Sequence, residues 1–478
     1  MKFTELNIDR RIKEALDKLG YSETTEVQSI VIPELKQGHD VIVKAKTGSG
    51  KTAAFAIPLI DAVVFEENKP QVLVLTPTRE LAIQVKEDFD NIGTYKKIKT
   101  LAIFGKQPYK FQIQDLKQKT HVVVATPGRL LDHLKRGTFD ASCLKYLVLD
   151  EADEMLNMGF IETVEDIIEQ LPVKRTTCLF SATLPEKIQE LTEKFMQEPL
   201  QVHVKQSQIV DQQIEAYAYE ISGAMKNDFL FKLIVHEKPA SAIIFCETQE
   251  KVDTVYNMLI KNRVSVHRIH GGMLQSERLL NMEDFRLGKV QFLVATDVAA
   301  RGIDIENISH VINYDLPMEP QNYVHRIGRT ARNNKTGAAI SFITQNDYKR
   351  RMRIEDYTNT SFEIRDNETI LQTVVNHQSL SELKKKIVRK TKKNNELKKD
   401  ITKLYFNVGK RKKIAAGNLV GAICALDDLD GDDIGVIQVQ DTCSYVSILN
   451  GKGKTVAQRL NQTLIKGRTM RVEIAHNE

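Results

Sequence analysis

The eight residues Ala45-Lys46-Thr47-Gly48-Ser49-Gly50-Lys51-Thr52 place glycines, hydroxyls and a lysine in the order that holding a polyphosphate requires. An apolar run at 41–43 precedes them, and 52–64 reads as a helix. In that setting Gly48 and Gly50 let backbone N–H groups of the Thr47–Gly50 stretch curl round a phosphate. Lys51 can reach the β- and γ-phosphates, and Thr52 can offer its hydroxyl to Mg2+. The plain alternative is a glycine-rich turn ahead of a helix, and Ala45 stands where the general pattern has glycine.

Such a site needs carboxylates at the end of a neighbouring strand. Tyr146-Leu147-Val148-Leu149 delivers Asp150-Glu151-Ala152-Asp153 in that way. Asp150 can hold Mg2+ through its water shell, Glu151 can orient and activate an attacking water, and Asp153 suits holding nearby chain segments. Acidic residues at a strand end are also a common helix start. Phosphoryl transfer further needs positive charge where it builds on the γ-phosphate oxygens. His325-Arg326-Ile327-Gly328-Arg329-Thr330-Ala331-Arg332 offers three arginines. Arg329 and Arg332 would share one face of a helix as arginine fingers, with a surface arginine patch as the alternative. With loop and fingers on separate domains, hydrolysis would wait on closure.

These groups sit on a regular scaffold. Apolar runs at 41–43, 72–75, 122–125, 146–149 and 177–180 are separated by helical patterns such as 78–89, which argues for a parallel sheet covered on both sides. Residues 206–218 are polar and Gln-rich and read as a linker. A second α/β pattern follows, with strands at 242–246, 264–269, 292–296, 310–313 and 338–343 and helices near 250–261, 275–287 and 320–329. After a helical, basic stretch at 367–403, residues 404–478 read β-α-β-β-α-β.

The chain has 478 residues and a formal charge of +5. Residues 384–413 hold fourteen Lys/Arg against two acids, a net of +12, so the remainder carries −7. A basic arm on an acidic body suits capture of a polyanion; a solubilising linker is the plain alternative. No apolar run reaches the length of a membrane span, and residues 1–16 lack a signal-peptide pattern, which makes the cytoplasm the expected compartment. The five cysteines are widely spaced, with neither a zinc pattern nor a disulfide framework, and most are expected to be buried thiols.

Over about residues 1–365 the ordered motifs resemble those of DEAD-box RNA helicases. The resemblance implies an α/β fold of two tandem RecA-like domains, at 1–205 and 219–366, that closes around ATP with Mg2+ and a few nucleotides of RNA. One strand is bent, so that a short duplex separates locally. It covers the alanine that opens the phosphate loop and the Asp150–Asp153 run. Gly20-Tyr21 with Thr25 and Gln28 resembles the adenine-reading motif: Gln28 would read the base, with Phe3 and Tyr21 nearby. Thr25 and Gln28 also form a capping box, and Phe3 suits a core anchor. Ser181-Ala182-Thr183, with Asp153, His325 and Arg326, would couple hydrolysis to strand separation. Asp304, in Arg301-Gly302-Ile303-Asp304, would contact the ribose. Pro77, Thr78, Arg79, Gly105, Thr126, Pro127, Gly128 and Arg129 would hold the RNA backbone in the first domain, and Gln275, Arg278 and Thr296 in the second. Three departures stand out: Thr24 for proline, Lys106 for the second glycine of a pair, and Ala331 for a glycine, expected to tighten a helix.

The tail resembles an RRM-like RNA-binding fold with a poor stacking signature: Tyr445 stands at a stacking site, whereas Cys443 and Ile448 occupy sites where aromatics are usual. Lys410, Arg411, Lys412, Lys413, Lys466 and Arg468 are likelier RNA contacts than the sheet; a protein-contact or dimerisation domain is the alternative. Lys413, Gly421-Ala422-Ile423-Cys424, Asp433-Ile434-Gly435, Ser444-Tyr445-Val446 and Lys466-Gly467-Arg468 resemble the tail of DbpA-type helicases. That resemblance implies recognition of a hairpin of 23S rRNA in pre-50S particles, by a monomer with no membrane contact. A general RNA chaperone or clamp of DEAD-box type, without rRNA preference, is the alternative.

Overall fold

The computed structural model describes the whole chain except residues 46–47, 204–212, 301–307, 332–335, 386–394, 462, 466–467 and 476–478. It resolves into two compact units. One comprises Met1–Val204 with Lys393–Glu478, the other Lys205–Lys392.

Domain 1 is a seven-stranded sheet of β1 (Val41–Lys44), β2 (Val72–Leu75), β3 (Thr100–Ile103), β4 (Val122–Ala125), β5 (Tyr146–Asp150), β6 (Thr176–Ser181) and β7 (Leu200–His203). Its order is β3-β4-β2-β5-β6-β1-β7, and every pair is parallel. Val, Ile and Leu fill the central strands because helices cover both faces and leave no solvated side on which alternation would pay off. Domain 2 repeats the plan with β8 (Ile214–Glu220), β9 (Ala242–Phe245), β10 (Val266–Ile269), β11 (Phe292–Ala295), β12 (His310–Asn313), β13 (Gly337–Ile343) and β14 (Glu363–Ile364), in the order β10-β11-β9-β12-β13-β8-β14.

The strands missing from the sequence reading are the weakly patterned ones. β3, β7 and β14 lie at or near sheet edges and are short or half-exposed. β8 corrects the linker: residues 214–218 belong to domain 2, while 206–212 lie outside the described residues. Its polar-apolar alternation reads as linker composition but packs Tyr217 and Tyr219 into the core. The 367–403 connector also divides. Ile370 and Leu383 pack into domain 2, whereas helix Asn395–Asp400 belongs to the unit of domain 1.

The C-terminal module is an antiparallel sheet of β15 (Thr402–Phe406), β16 (Ile434–Val439), β17 (Ser444–Ile448) and β20 (Val472–Ile474), ordered β16-β17-β15-β20. A two-strand ribbon, β18 (Leu464–Ile465) and β19 (Arg468–Thr469), lies beside it. Leu404, Phe406 and Val408 face a core with Leu419, Ile423, Val456 and Leu460 of helices Ala416–Cys424 and Gly453–Leu460. Ile448 lies in that core, so it is no outer-face stacking position; its strand presents Tyr445 and Ser447 outward. Among the described residues no helix is long and apolar enough to cross a membrane.

Candidate active site

The sheet order of domain 1 brings the phosphate loop and the carboxylates together. The strand β6 lies between β1 and β5, pairing Lys44 with Ser181 on one side and Asp150 with Phe180 on the other. Three loops therefore leave adjacent strand ends, where parallel α/β sheets bind ligands.

Gly48 and Gly50 both take left-handed backbone, φ +85° and +83°, and Gly50 caps helix Lys51–Ala62. A side chain at Gly50 is disfavoured by its φ, and a Cβ would lie 2.5 Å from Gln28 Nε2, so Gln28 would have to move. Gln28 Nε2 donates to Gly50 O at 3.1 Å, and Thr25 Oγ1 donates to Ser49 O at 2.9 Å. The capping box expected from Thr25 and Gln28 is present, with Gln28 Oε1 accepting from Thr25 N–H at 2.9 Å. Each end of the Gln28 amide keeps one further hydrogen-bonding position, as reading a purine edge requires. Phe3 is buried edge-on to Tyr21 at 5.5 Å, in the core-anchor role. Thr47 lies outside the described residues.

Lys51 is buried and donates to Ala45 O at 3.2 Å. Asp150 is 3% exposed and its Oδ1 has no hydrogen-bond partner. Burial pushes its carboxyl above the ordinary range, against the pull of Lys51. An orphaned buried carboxylate oxygen within electrostatic reach of Lys51, on a strand separated from β1 only by β6, fits a hydrated Mg2+ ion. Among the described residues no group of three His, Cys, Asp or Glu could hold a metal unaided, so phosphate and water would complete the shell. Glu151 has φ +53°, a left-handed backbone uncommon for a non-glycine residue, at the strand end where the attacking water would be held. Asp153 is the bracket: its Oδ2 accepts from Thr183 N–H and Oγ1, while Ser181 Oγ accepts from Asp153 N–H. Ala182 lies between the two hydroxyls.

Pro77, Thr78 and Arg79 follow β2, Gly105 follows β3, and Thr126, Pro127, Gly128 and Arg129 follow β4. These strands are neighbours, so the expected RNA-backbone residues share one edge of the sheet's C-terminal end. Thr78 caps helix Arg79–Ile92 through Leu81 N–H, and a Cβ at Gly105 would stand 3.4 Å from Arg79 Nη2. Arg129 is committed to domain 1. Its Nη1 donates to Gln107 O and Gln112 Oε1, each at 2.8 Å, and its guanidinium lies 4.0 Å from the Tyr109 ring centre.

In domain 2 the helix ends earlier than the sequence suggests, at Pro320–Ile327 with Gly328 as cap. Arg329 lies beyond it, so the one-face pairing of Arg329 and Arg332 on a helix is overturned; Arg332 and Asp304 lie outside the described residues. Ala331 has φ +54°, a conformation that stops a helix and does not tighten one. His325 and Arg326 occupy the last turn. Buried Arg326 pairs with Asp297, Nη2 to Oδ2 at 2.7 Å, and its Nη1 donates to Asn313 Oδ1 at 3.0 Å and Asp315 O at 2.7 Å. Asp315 itself accepts from Lys226 at 2.9 Å, Lys251 at 3.1 Å and Glu247 N–H at 3.0 Å. Burial alone would raise the Asp315 carboxyl, but Lys226 and these bonds hold it below its ordinary value. The sequence reading missed this hub; its one signal is an acid just past an apolar strand. Gln275 and Arg278 lie on helix Gln275–Arg286, and Thr296 follows β11.

On the C-terminal module Tyr405 and Tyr445 meet edge-on at 5.7 Å, with Lys403 4.7 Å above Tyr445. Lys410, Arg411 and Lys412 form a 3-10 turn closed by Lys413, φ +58°. Arg468 begins β19, and Lys466 is outside the described residues.

Residues 25–191 match the DEAD/DEAH box helicase family, residues 225–334 the helicase conserved C-terminal domain, and residues 403–474 the DbpA RNA binding domain. A Bacillus subtilis (strain 168) protein called ATP-dependent RNA helicase DbpA is 49% identical over 99% of both chains. This chain is a DEAD-box ATP-dependent RNA helicase of the DbpA type. The DEAD-box helicase CshA of Geobacillus kaustophilus (strain HTA426) is 44% identical over 76% of this chain and 77% of its own. Among solved structures, S. cerevisiae Dbp5 bound to RNA and ADP BeF3 matches 81% of this chain and 100% of its own, with TM-score 0.70 and 29% identity.

As a DEAD-box helicase it departs from glycine at Lys106 and Ala331, and both positions are left-handed, φ +64° and +54°. The backbone that glycine serves is kept while the glycine is not.

Proposed function

We propose that this helicase is addressed by its C-terminal module to a hairpin of 23S rRNA in pre-50S particles, where it acts as a cytoplasmic monomer. The observation that carries the proposal is the match of residues 403–474 to the DbpA RNA binding domain within an end-to-end likeness to a DbpA protein. The basic turn Lys410–Lys412 gives that module positive charge for phosphate.

The core acts on ATP as follows. Backbone N–H groups at Gly48 and Gly50 with Lys51 would hold the β- and γ-phosphates, and Thr52 with Asp150 would hold the hydrated cation. Mg2+, when bound, neutralises charge on those phosphates. Glu151 orients the attacking water and receives its proton. Arg329 and Arg332 supply positive charge where it builds on the γ-phosphate. Asp153 passes the resulting shift to Ser181 and Thr183.

The test is steady-state ATP hydrolysis with 23S rRNA, 16S rRNA, poly(U) and DNA at one fixed salt concentration, because non-specific polyanion binding falls steeply with salt. Strong stimulation by 23S rRNA alone is expected. Equal stimulation by every RNA would reduce the module to a general RNA gripper.

A further inference from the structure

The C-terminal module follows domain 2 in sequence, yet it packs on domain 1. The contact is built like a small core. Ala15 and Tyr95 of domain 1 enclose Leu397 and Leu449 of the module, with Leu19 and Ile401 packed at the margin. Leu397 is 0% exposed although it sits in the most basic stretch of the chain, on helix Asn395–Asp400. Leu397 lies on helix Asn395–Asp400 with Ile401 just past its end, and Ala15 lies on helix Arg10–Lys18 with Leu19 as its cap, so apolar side chains from two helix ends meet. A tether meant only to be solvated has no use for a fully buried leucine.

Polar contacts fix the register. Lys18 Nζ bonds Asp400 Oδ2 at 2.8 Å and Tyr95 OH at 2.8 Å, and lies 5.0 Å from the Tyr95 ring centre. Lys97 Nζ donates to Gly431 O at 2.6 Å. Helix Asn395–Asp400 is in turn tied to the module, because Gly451 N–H donates to Asp400 O at 2.9 Å. Further along the seam, Asp90 attracts Lys403 while Lys86 repels it, and Lys410 and Lys99 repel each other, so the attraction is concentrated at Lys18 and Asp400. An interface this small would be weak between separate proteins. Covalent linkage makes the encounter intramolecular, at an effective concentration that lets a few contacts suffice.

We propose that Ala15, Lys18, Leu19, Tyr95 and Lys97 form a docking face for the chain's own RNA-binding module, so that the module is carried by domain 1 although its peptide link runs to domain 2. RNA captured by the module is then held on the domain that carries the phosphate loop. The docking holds whichever RNA the module recognises, so it stands apart from the 23S rRNA assignment.

Double electron–electron resonance on the full chain tests this. Spin labels on the native exposed thiol Cys424 and on Asp17→Cys, with Cys143→Ser to prevent side labelling, report the module-to-domain 1 distance. One narrow distance population is expected in this parent protein. Leu397→Glu should broaden it by lowering the docking equilibrium roughly thirty-fold, the loss expected for one buried leucine. Lys18→Glu and Asp400→Lys should each lower it about three-fold, and the charge-swapped double variant should recover the parent distribution. A broad distribution in the parent, or a narrow one indifferent to all of these variants, would overturn the proposal.

Discussion

Asp153 Oδ2 accepts two hydrogen bonds from one residue, the Thr183 N–H at 2.9 Å and the Thr183 hydroxyl at 3.0 Å. With Ser181 Oγ accepting from Asp153 N–H at 3.1 Å, the loops after β5 and β6 are fastened to each other. Replacing Ser181 and Thr183 together by Ala removes both hydroxyls and leaves the nucleotide ligands in place. Duplex separation should fall about ten-fold or more while ATP turnover stays near the parent rate, since the Thr183 hydroxyl's bond to the Asp153 carboxylate contributes roughly 1.5–3 kcal/mol and Ser181's bond to a backbone N–H about 1 kcal/mol. Parallel unwinding and hydrolysis assays decide it; equal losses in both would remove the bracket from the coupling.

Glu151→Gln keeps size and removes the base. Hydrolysis should fall on the order of a hundred-fold or more with ATP and RNA still bound, as loss of a general base implies. Single-turnover hydrolysis beside nucleotide-binding titration checks it, and a parent rate would take Glu151 out of the chemistry.

Ala331 carries a side chain on backbone that disfavours one. Ala331→Gly should stabilise domain 2 by about 0.5–1 kcal/mol, the left-handed penalty less glycine's entropy cost. Calorimetry of the full chain reads this as a higher transition temperature for domain 2. An unchanged or lower transition would mean that packing of the buried methyl outweighs the strain.

Neutralising Asp315 leaves the buried ammonium of Lys226 without its counter-charge. Asp315→Asn should destabilise domain 2 by roughly 3 kcal/mol, and Asp315→Leu with Lys226→Met should recover most of that. Calorimetry again measures it. A mild single variant would show that Lys226 finds enough compensation at Tyr314 O, which it already reaches at 2.6 Å.

His121 gives domain 1 a pH signature. Its Nδ1 accepts from Lys99 N–H at 3.0 Å and its Nε2–H donates to Phe65 O at 3.1 Å, so the ring is neutral. Burial, with Lys119, Lys99 and Lys96 nearby, brings it from 6.5 down to about 4. Below pH 6.5 the unfolded chain takes up a proton that the folded one refuses. The neutral ring's contribution is therefore complete above 6.5 and is lost as pH falls toward 4, by up to roughly 2–3 kcal/mol. His121→Asn should flatten the fall in domain 1 melting temperature between pH 7 and 5; an unchanged slope would assign it to other groups.

Much of the site was readable because phosphate chemistry dictates residue type and spacing locally. The Gly48–Thr52 loop and the Asp150–Asp153 run announce themselves through strand-loop-helix context, and the buried strands through continuous Val, Ile and Leu. What stayed hidden depends on partners distant in sequence. Nothing local marks Asp315 as the acceptor of Lys226, nor Tyr109 and Gln112 as the seat of Arg129. Ala331 misled for a related reason: alanine favours helix by propensity, and only the surrounding fold imposes φ +54°. The exposed or edge strands β3, β7 and β14 carry too little apolar pattern to stand out.

The middle position of β6 sets where this protein can gain or lose residues. An insertion at residues 172–174, where Val173 is 83% exposed, can bulge into solvent without moving the strand. One within residues 178–181 shifts the pairing with β1 and β5 at once, turns Ser181 to the opposite face and unfastens Asp153. Length variation among relatives should therefore gather at the lower rim of this sheet and vanish along β6.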